Sequence, residues 1–258
     1  MNGREQVHLI ATTTDTLCHL LWFLRRQEPE LVELVQSRGS TGFPHYLTSR
    51  LGVLPEESWA TAVYIAPESL VDHLLPRCRE LDPPAYVEAS LDAAGRALQR
   101  LHPDPPGAGL RELADAVDPG GELPAAWASL PRSGDLHRDA IRDAMVLREH
   151  RAHGHYQAAQ ELGLSPLQLL VVTALWRGQS QDAIAGLFRW SDEEIEAAAG
   201  SLRERGWAAF GGGLTAAGVA AREGIEEATD SRGEQPLSRL PESRRDQVVA
   251  SLAELASI

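Results

Sequence analysis

From Leu136 to Leu162 the chain reads as one long helix, halted at Gly163, and Ser165-Pro166 then supplies an N-cap and first-turn pair for the next helix. A helix of this length rises about 1.5 Å per residue and spans a small domain, so neighbouring segments must pack along it. Those segments are helical too. Between Thr12 and about Arg100 the apolar residues recur at helical spacing: Leu17, Leu20, Leu21 and Leu24, then Leu31, Leu34 and Val35, then Leu70, Val71, Leu74 and Leu75. Little alternates with period two, and the breaks at Gly39–Gly42, Pro55 and Pro83-Pro84 divide the stretch into four or five helices.

Leu101 to Asp135 is rich in Pro, Gly and Asp, with one short helix expected over Gly109–Val117, and reads as a connection or a loop packed over a site. Beyond Ser165 the pattern predicts helices to Trp176, over Gln179–Phe188 and over Ser191–Arg205, the last with Ser191 and Glu194 in capping-box spacing. Trp207 to Thr215 has room only for a very short hairpin, and a last pair of helices is expected near 216–229 and 242–256. Three helices followed by a minimal hairpin describe a degenerate winged helix, Ser165 to about Arg222. The fold class is therefore mainly α: an N-terminal helical domain over 1–100, a connection over 101–135, and the long helix, winged helix and C-terminal helices over 136–258.

Composition removes several chemistries. All 24 basic residues are arginine, so neither a Schiff-base lysine nor a phosphate-binding P-loop lysine exists. Lysine avoidance with abundant Ala, Gly and Arg fits a GC-rich, actinobacterial genome. The formal net charge of −13 argues against nucleic acid or an anionic membrane as the default partner. Cys18 and Cys78 form no framework or zinc spacing, the N-terminus lacks a signal-like apolar run, and no stretch reaches the ~18 consecutive apolar residues of a membrane span. A cytoplasmic location is expected, with no cofactor.

The candidate site lies in Leu147-Arg-Glu-His-Arg-Ala-His-Gly-His155, where Arg148, Arg151 and His155 share one helix face. Neighbouring cations repel, so an anion, a carboxylate or a ligand is expected among them. The functional reading is a pocket between domains for an anionic small molecule, with His150 or His155 carrying protons near neutral pH. The structural reading pairs these residues with carboxylates such as Glu149, Glu161 or Asp143. Arg50 and Tyr46, four apart on one face, are further substrate-binding candidates. No metal site is expected: His153 and His155 are separated by about 200° of helix rotation. Cys18-His19 is likewise no nucleophile and base pair, because helix neighbours diverge by about 100°.

The presumptive DNA-reading helix opens Ser191-Asp-Glu-Glu-Ile-Glu196, four carboxylates where phosphates demand Arg or Lys. From Ser165 to Arg222 there are five arginines against six carboxylates, so DNA is not the expected partner.

The Leu147–His155 run, Arg189-Trp-Ser, Leu202-Arg-Glu-Arg-Gly, Leu214-Thr-Ala-Ala-Gly and Ile225-Glu-Glu-Ala-Thr-Asp230 resemble an actinobacterial winged-helix family labelled helix-turn-helix, distantly similar to MarR regulators. Tyr46-Leu-Thr-Ser-Arg50 fits its Tyr-Phe-x-Gly-Arg, and Val63-Tyr-Ile-Ala-Pro67 its Phe-Tyr-Asn-Phe-Ala-Pro. Cys18 stands where histidine is usual, and Tyr64, which joins the substrate-binding candidates, stands where asparagine is usual. Fold alone does not establish function. The resemblance leaves open a cofactor-independent lyase or cyclase of a secondary-metabolite pathway, in its narrowest form an aziridine closure in which an amine displaces sulfate. The alternative is a ligand-responsive, MarR-like regulator acting as a dimer, and a third reading is an interaction module for a partner subunit.

Overall fold

The computed structural model describes residues 2–22, 28–179 and 189–258. The protein is mainly α-helical. Helices α1 (Gly3–Trp22), α2 (Pro29–Arg38), α3 (Phe43–Leu51), α4 (Trp59–Val63), α5 (Glu68–Arg79) and α6 (Pro83–Leu101) occupy the N-terminal part. They are followed by α7 (Gly109–Ala116), α8 (Glu122–Ser129), α9 (Leu136–Glu161), α10 (Pro166–Trp176), α11 (Asp192–Glu204), α12 (Ala216–Gly233), α13 (Gln235–Ser238) and α14 (Glu242–Ala253). The helix expected over Gln179–Phe188 falls, but for its first residue, outside the described residues.

Two compact units interleave along the chain, in contrast to the serial segments expected from sequence. Residues 1–56, 74–153 and 230–258 form the first, and 57–73 and 154–229 the second. Residues of α9 up to His153 belong to the first unit and those from Gly154 to the second.

In the first unit α1 packs against α3, α6 and α14, and α6 also carries α2 and α3. The buried face of α6 (Tyr86, Val87, Leu91, Ala94, Leu98) has helical period. A Cβ on Gly95 would lie 2.9 Å from the Arg138 Cα, so the missing side chain lets α6 and α9 touch backbone to backbone. The 101–135 stretch holds more helix than its Pro and Gly content predicted. Pro124 sits early in α8, where it costs no helical hydrogen bond, and Trp127 at the far end is fully buried, donating Nε1–H to the Arg50 carbonyl at 3.0 Å.

The second unit has its own core: Ala158, Leu164, Leu167, Val171, Val172, Ile195, Ala199, Leu202 and Ile225, with Trp190 and Trp207 packed against it. Ser165 and Ser191 both close capping boxes, with Gln168 and Glu194. The wing shrinks to one antiparallel bridge, Ala208 with Leu214, around Phe210-Gly-Gly-Gly213. The Thr215-Ala-Ala-Gly218 motif holds its base. Thr215 Oγ1 donates to the Gly206 carbonyl at 2.6 Å and accepts from the Gly218 N–H at 3.1 Å. Gly218 is required there because a Cβ would lie 2.1 Å from the Trp207 carbonyl oxygen.

Candidate functional site

Each cation singled out in the Leu147–His155 run meets a partner on its own unit. The tightest set surrounds Glu149. Arg50, from α3, donates Nε–H to Oε1 at 2.8 Å and Nη2–H to Oε2 at 2.9 Å, a bidentate pair in which both side chains are at most 2% exposed. Arg148 donates to the same Oε1 at 3.1 Å and lays its guanidinium 4.5 Å from the Trp22 ring centroid. Tyr46, one helical turn before Arg50, accepts from Arg50 Nη1 at 3.2 Å and stands edge-on to Trp22. Burial pushes the Glu149 carboxyl up, but Arg50 and Arg148 outweigh it and hold the group below the usual carboxylate range.

Tyr46 and Arg50, expected as substrate-binding candidates, meet each other and Glu149, a carboxylate weighed from sequence as a partner for the Arg148 face. Arg50 is enclosed, whereas Arg148 keeps 24% of its side chain exposed. Of Arg50, Glu149 and Arg148, Arg148 is the one a solute can reach.

One turn along α9, Arg151 donates to Asp230 at 3.0 Å, and the same carboxylate meets His8 at 3.0 Å and Arg4 at 3.5 Å. His150 lies 3.3 Å from the Arg232 carbonyl. In the second unit His155 Nδ1 lies 3.0 Å from Thr229 Oγ1 and 3.7 Å from Glu226, which also pairs with Arg222. Asp143, another carboxylate weighed as a partner, instead takes Arg132 and Arg142. Cys18 is fully buried, and burial raises its thiol well above the ordinary range, so it is held as a neutral core residue.

Tyr64 belongs to the second unit. Its backbone, φ 53° and ψ −56°, forms the strained γ-turn in which Ile65 N–H donates to Val63 O at 2.6 Å. Such a conformation costs a non-glycine residue roughly 1–3 kcal/mol and persists where packing dictates it. Here Tyr64 stacks on Tyr156 at 4.3 Å, and Trp190 donates Nε1–H to the Ile65 carbonyl at 3.1 Å. Burial pushes the Tyr64 phenol up. An open cleft of about 500 Å³ beside them is lined by Thr61, Tyr64, Glu68, Gln160, Leu164 and Trp190, among others. The sequence reading named Tyr64 a substrate-binding candidate but did not connect it to Trp190.

A second buried polar chain also escaped sequence reading. His45 Nε2 sits 3.0 Å from the Leu21 carbonyl, which can only accept, so Nε2 carries the proton and Nδ1 accepts from the Tyr86 hydroxyl at 2.8 Å. The Tyr86 oxygen in turn accepts from Ser40 at 2.6 Å. Burial drives His45 down to about 4, so it is neutral at physiological pH.

The end of the second unit that would face DNA carries exposed Asp192, Glu193, Glu194 and Glu196 on α11. Glu194 spends its carboxylate on the Ser191 N–H and hydroxyl. A family model described as a helix-turn-helix family matches residues 4–258. The chain belongs to that helix-turn-helix family. No curated protein and no solved structure matches it. Of the four arginines that could make this helix-turn-helix face basic, Arg203 pairs with Glu196, and Arg205 donates to the Leu162 and Gly163 carbonyls while stacking on Trp207. Arg177 and Arg189 are exposed. Among the described residues no single helix is long and apolar enough to cross a membrane.

Proposed function

We propose that this helix-turn-helix protein does not read DNA through α11 and binds a small anionic molecule instead. The observation that carries the first half is the opening of α11. A reading helix enters the groove past phosphates by its first turns, and here those turns present exposed carboxylates while Arg203 and Arg205 are engaged on the protein itself. Phosphate neutralisation, the main source of non-specific affinity, has little to draw on. A gel-shift titration at low salt with fragments of the source genome tests this. Weak or no binding is expected; sub-micromolar binding that falls steeply with added salt assigns the chain to ligand-responsive regulators instead.

The anion half rests on Arg148, where two guanidiniums share the Glu149 carboxylate and one of them reaches solvent over an aromatic ring. In its narrowest form the ligand is a sulfate ester whose sulfate leaves carbon with the bonding pair as a neighbouring amine closes a ring. Sulfate, phosphate and carboxylates are then expected to raise the melting temperature in a concentration-dependent way, and Arg148→Gln to abolish the effect. An unchanged response in Arg148→Gln removes the anion from this position.

A further inference from the structure

We infer that the cleft beside Tyr64 and Trp190 is a binding site for an organic cation, a substituted ammonium carried on a small molecule. The inference concerns the second unit alone and does not depend on the anion reading above. At about 500 Å³ the cleft has the size of a small-molecule site. Among the described residues its walls combine two aromatic rings, the apolar surfaces of Ala66, Pro67, Leu164 and Pro166, and one charged group, Glu68. No arginine or histidine among the described residues lines it, in a chain with 24 arginines. An anion would find no counter-charge there, whereas a cation finds a carboxylate together with the negative faces of aromatic rings.

Two features make the walls a prepared surface. Glu68, the first residue of α5, is exposed and makes no ion pair among the described residues. The rings are held in place: Tyr64 by its stack on Tyr156, and Trp190 by its bond to the Ile65 carbonyl. Tyr64 itself, and Arg189, the residue before Trp190, have φ of 53° and 55°. Of the residues lining the cleft, Tyr64 is held in a strained conformation, as residues at ligand sites often are. Because Trp190 Nε1–H is already engaged, the indole offers its ring rather than its N–H.

The experiment is a charge series of one shape: benzyltrimethylammonium, benzyl alcohol and benzoate, followed by chemical-shift changes of the Trp190 indole N–H and by calorimetry on the full-length protein. The cation is expected to bind most tightly and benzoate least. Glu68→Gln, at an exposed position, keeps the fold and should weaken the cation about fivefold to tenfold, leaving benzyl alcohol unchanged. Trp190→Phe should lower affinity for all three. Equal affinity for cation and benzoate, cation binding that Glu68→Gln leaves intact, or no Trp190 response to any probe overturns the assignment. Sulfate at the first unit should leave the Trp190 signal unmoved, which keeps failure here distinct from failure of the anion reading.

Discussion

Glu149→Ala is the change that most directly tests how the first unit is held together. In the native protein the Arg50 guanidinium is 1% exposed and donates two hydrogen bonds to Glu149. Truncation leaves that cation enclosed and takes away the carboxylate that accepts two of its hydrogen bonds, with the Arg148 charge close by. Breaking a buried pair from one side costs about 3–5 kcal/mol. For a chain of this size each kcal/mol moves the melting temperature by about 2–4 °C, so a fall on the order of 6–20 °C is expected. Urea titration followed by Trp fluorescence and far-ultraviolet circular dichroism gives the free energy, both probes being needed because the two units can unfold separately. The double variant Arg50→Met/Glu149→Leu removes both charges, leaves Arg148 near water, and should recover most of the loss. The pH sign is fixed by the direction of the Glu149 shift. A carboxyl held below its unfolded value of about 4.3 contributes fully above that pH, and the contribution disappears as pH falls through the folded value. The gap between wild type and Glu149→Ala should therefore close in acid. A loss under about 1 kcal/mol, or a double variant as unstable as the single one, refutes the reasoning.

Further outcomes follow from the same geometry. Arg151→Ala should cost only about 1 kcal/mol, because Arg151 is 30% exposed and Asp230 keeps His8 and Arg4; a urea midpoint shift as large as that of Glu149→Ala contradicts this. His45 binds a proton near pH 6.5 when unfolded but only near 4 when folded, so stability should fall with decreasing pH across that window, and His45→Phe should flatten the slope in a series of melts. Gly218→Ala should destabilise the second unit, seen as lost amide protection around Trp207 and Leu214, because its Cβ has no room beside the Trp207 carbonyl. Arg189→Gly should raise the melting temperature by a few degrees through release of about 1 kcal/mol of backbone strain at an exposed position.

What the sequence could and could not reveal divides along a physical line. Helix positions were legible wherever the chain announces them locally: Ser165-Pro166, Ser191 with Glu194, and Gly163 and Gly206 at helix ends all act within a few residues of themselves. The same locality made α8 hard to read. Pro119-Gly-Gly121 looks like punctuation, and only the burial of Trp127 against the Arg50 backbone, far away in sequence, explains why a helix forms there. The site shows the contrast most sharply. Repulsion among Arg148, Arg151 and His155 correctly called for nearby anions, yet helix spacing says nothing about which ones, and the partners come from Glu149 next door and from Asp230 and Glu226 in α12. Adjacent residues on a helix usually diverge, so Glu149 serves Arg148 only because Arg50, from another helix, fixes the carboxylate between them. Tyr64 and Trp190 lie still further from any local signal, their relation resting on one long-range hydrogen bond and a turn that no propensity favours. A residue held against its own conformational preference marks where the fold has another requirement to meet, and here that requirement lies beside a cleft.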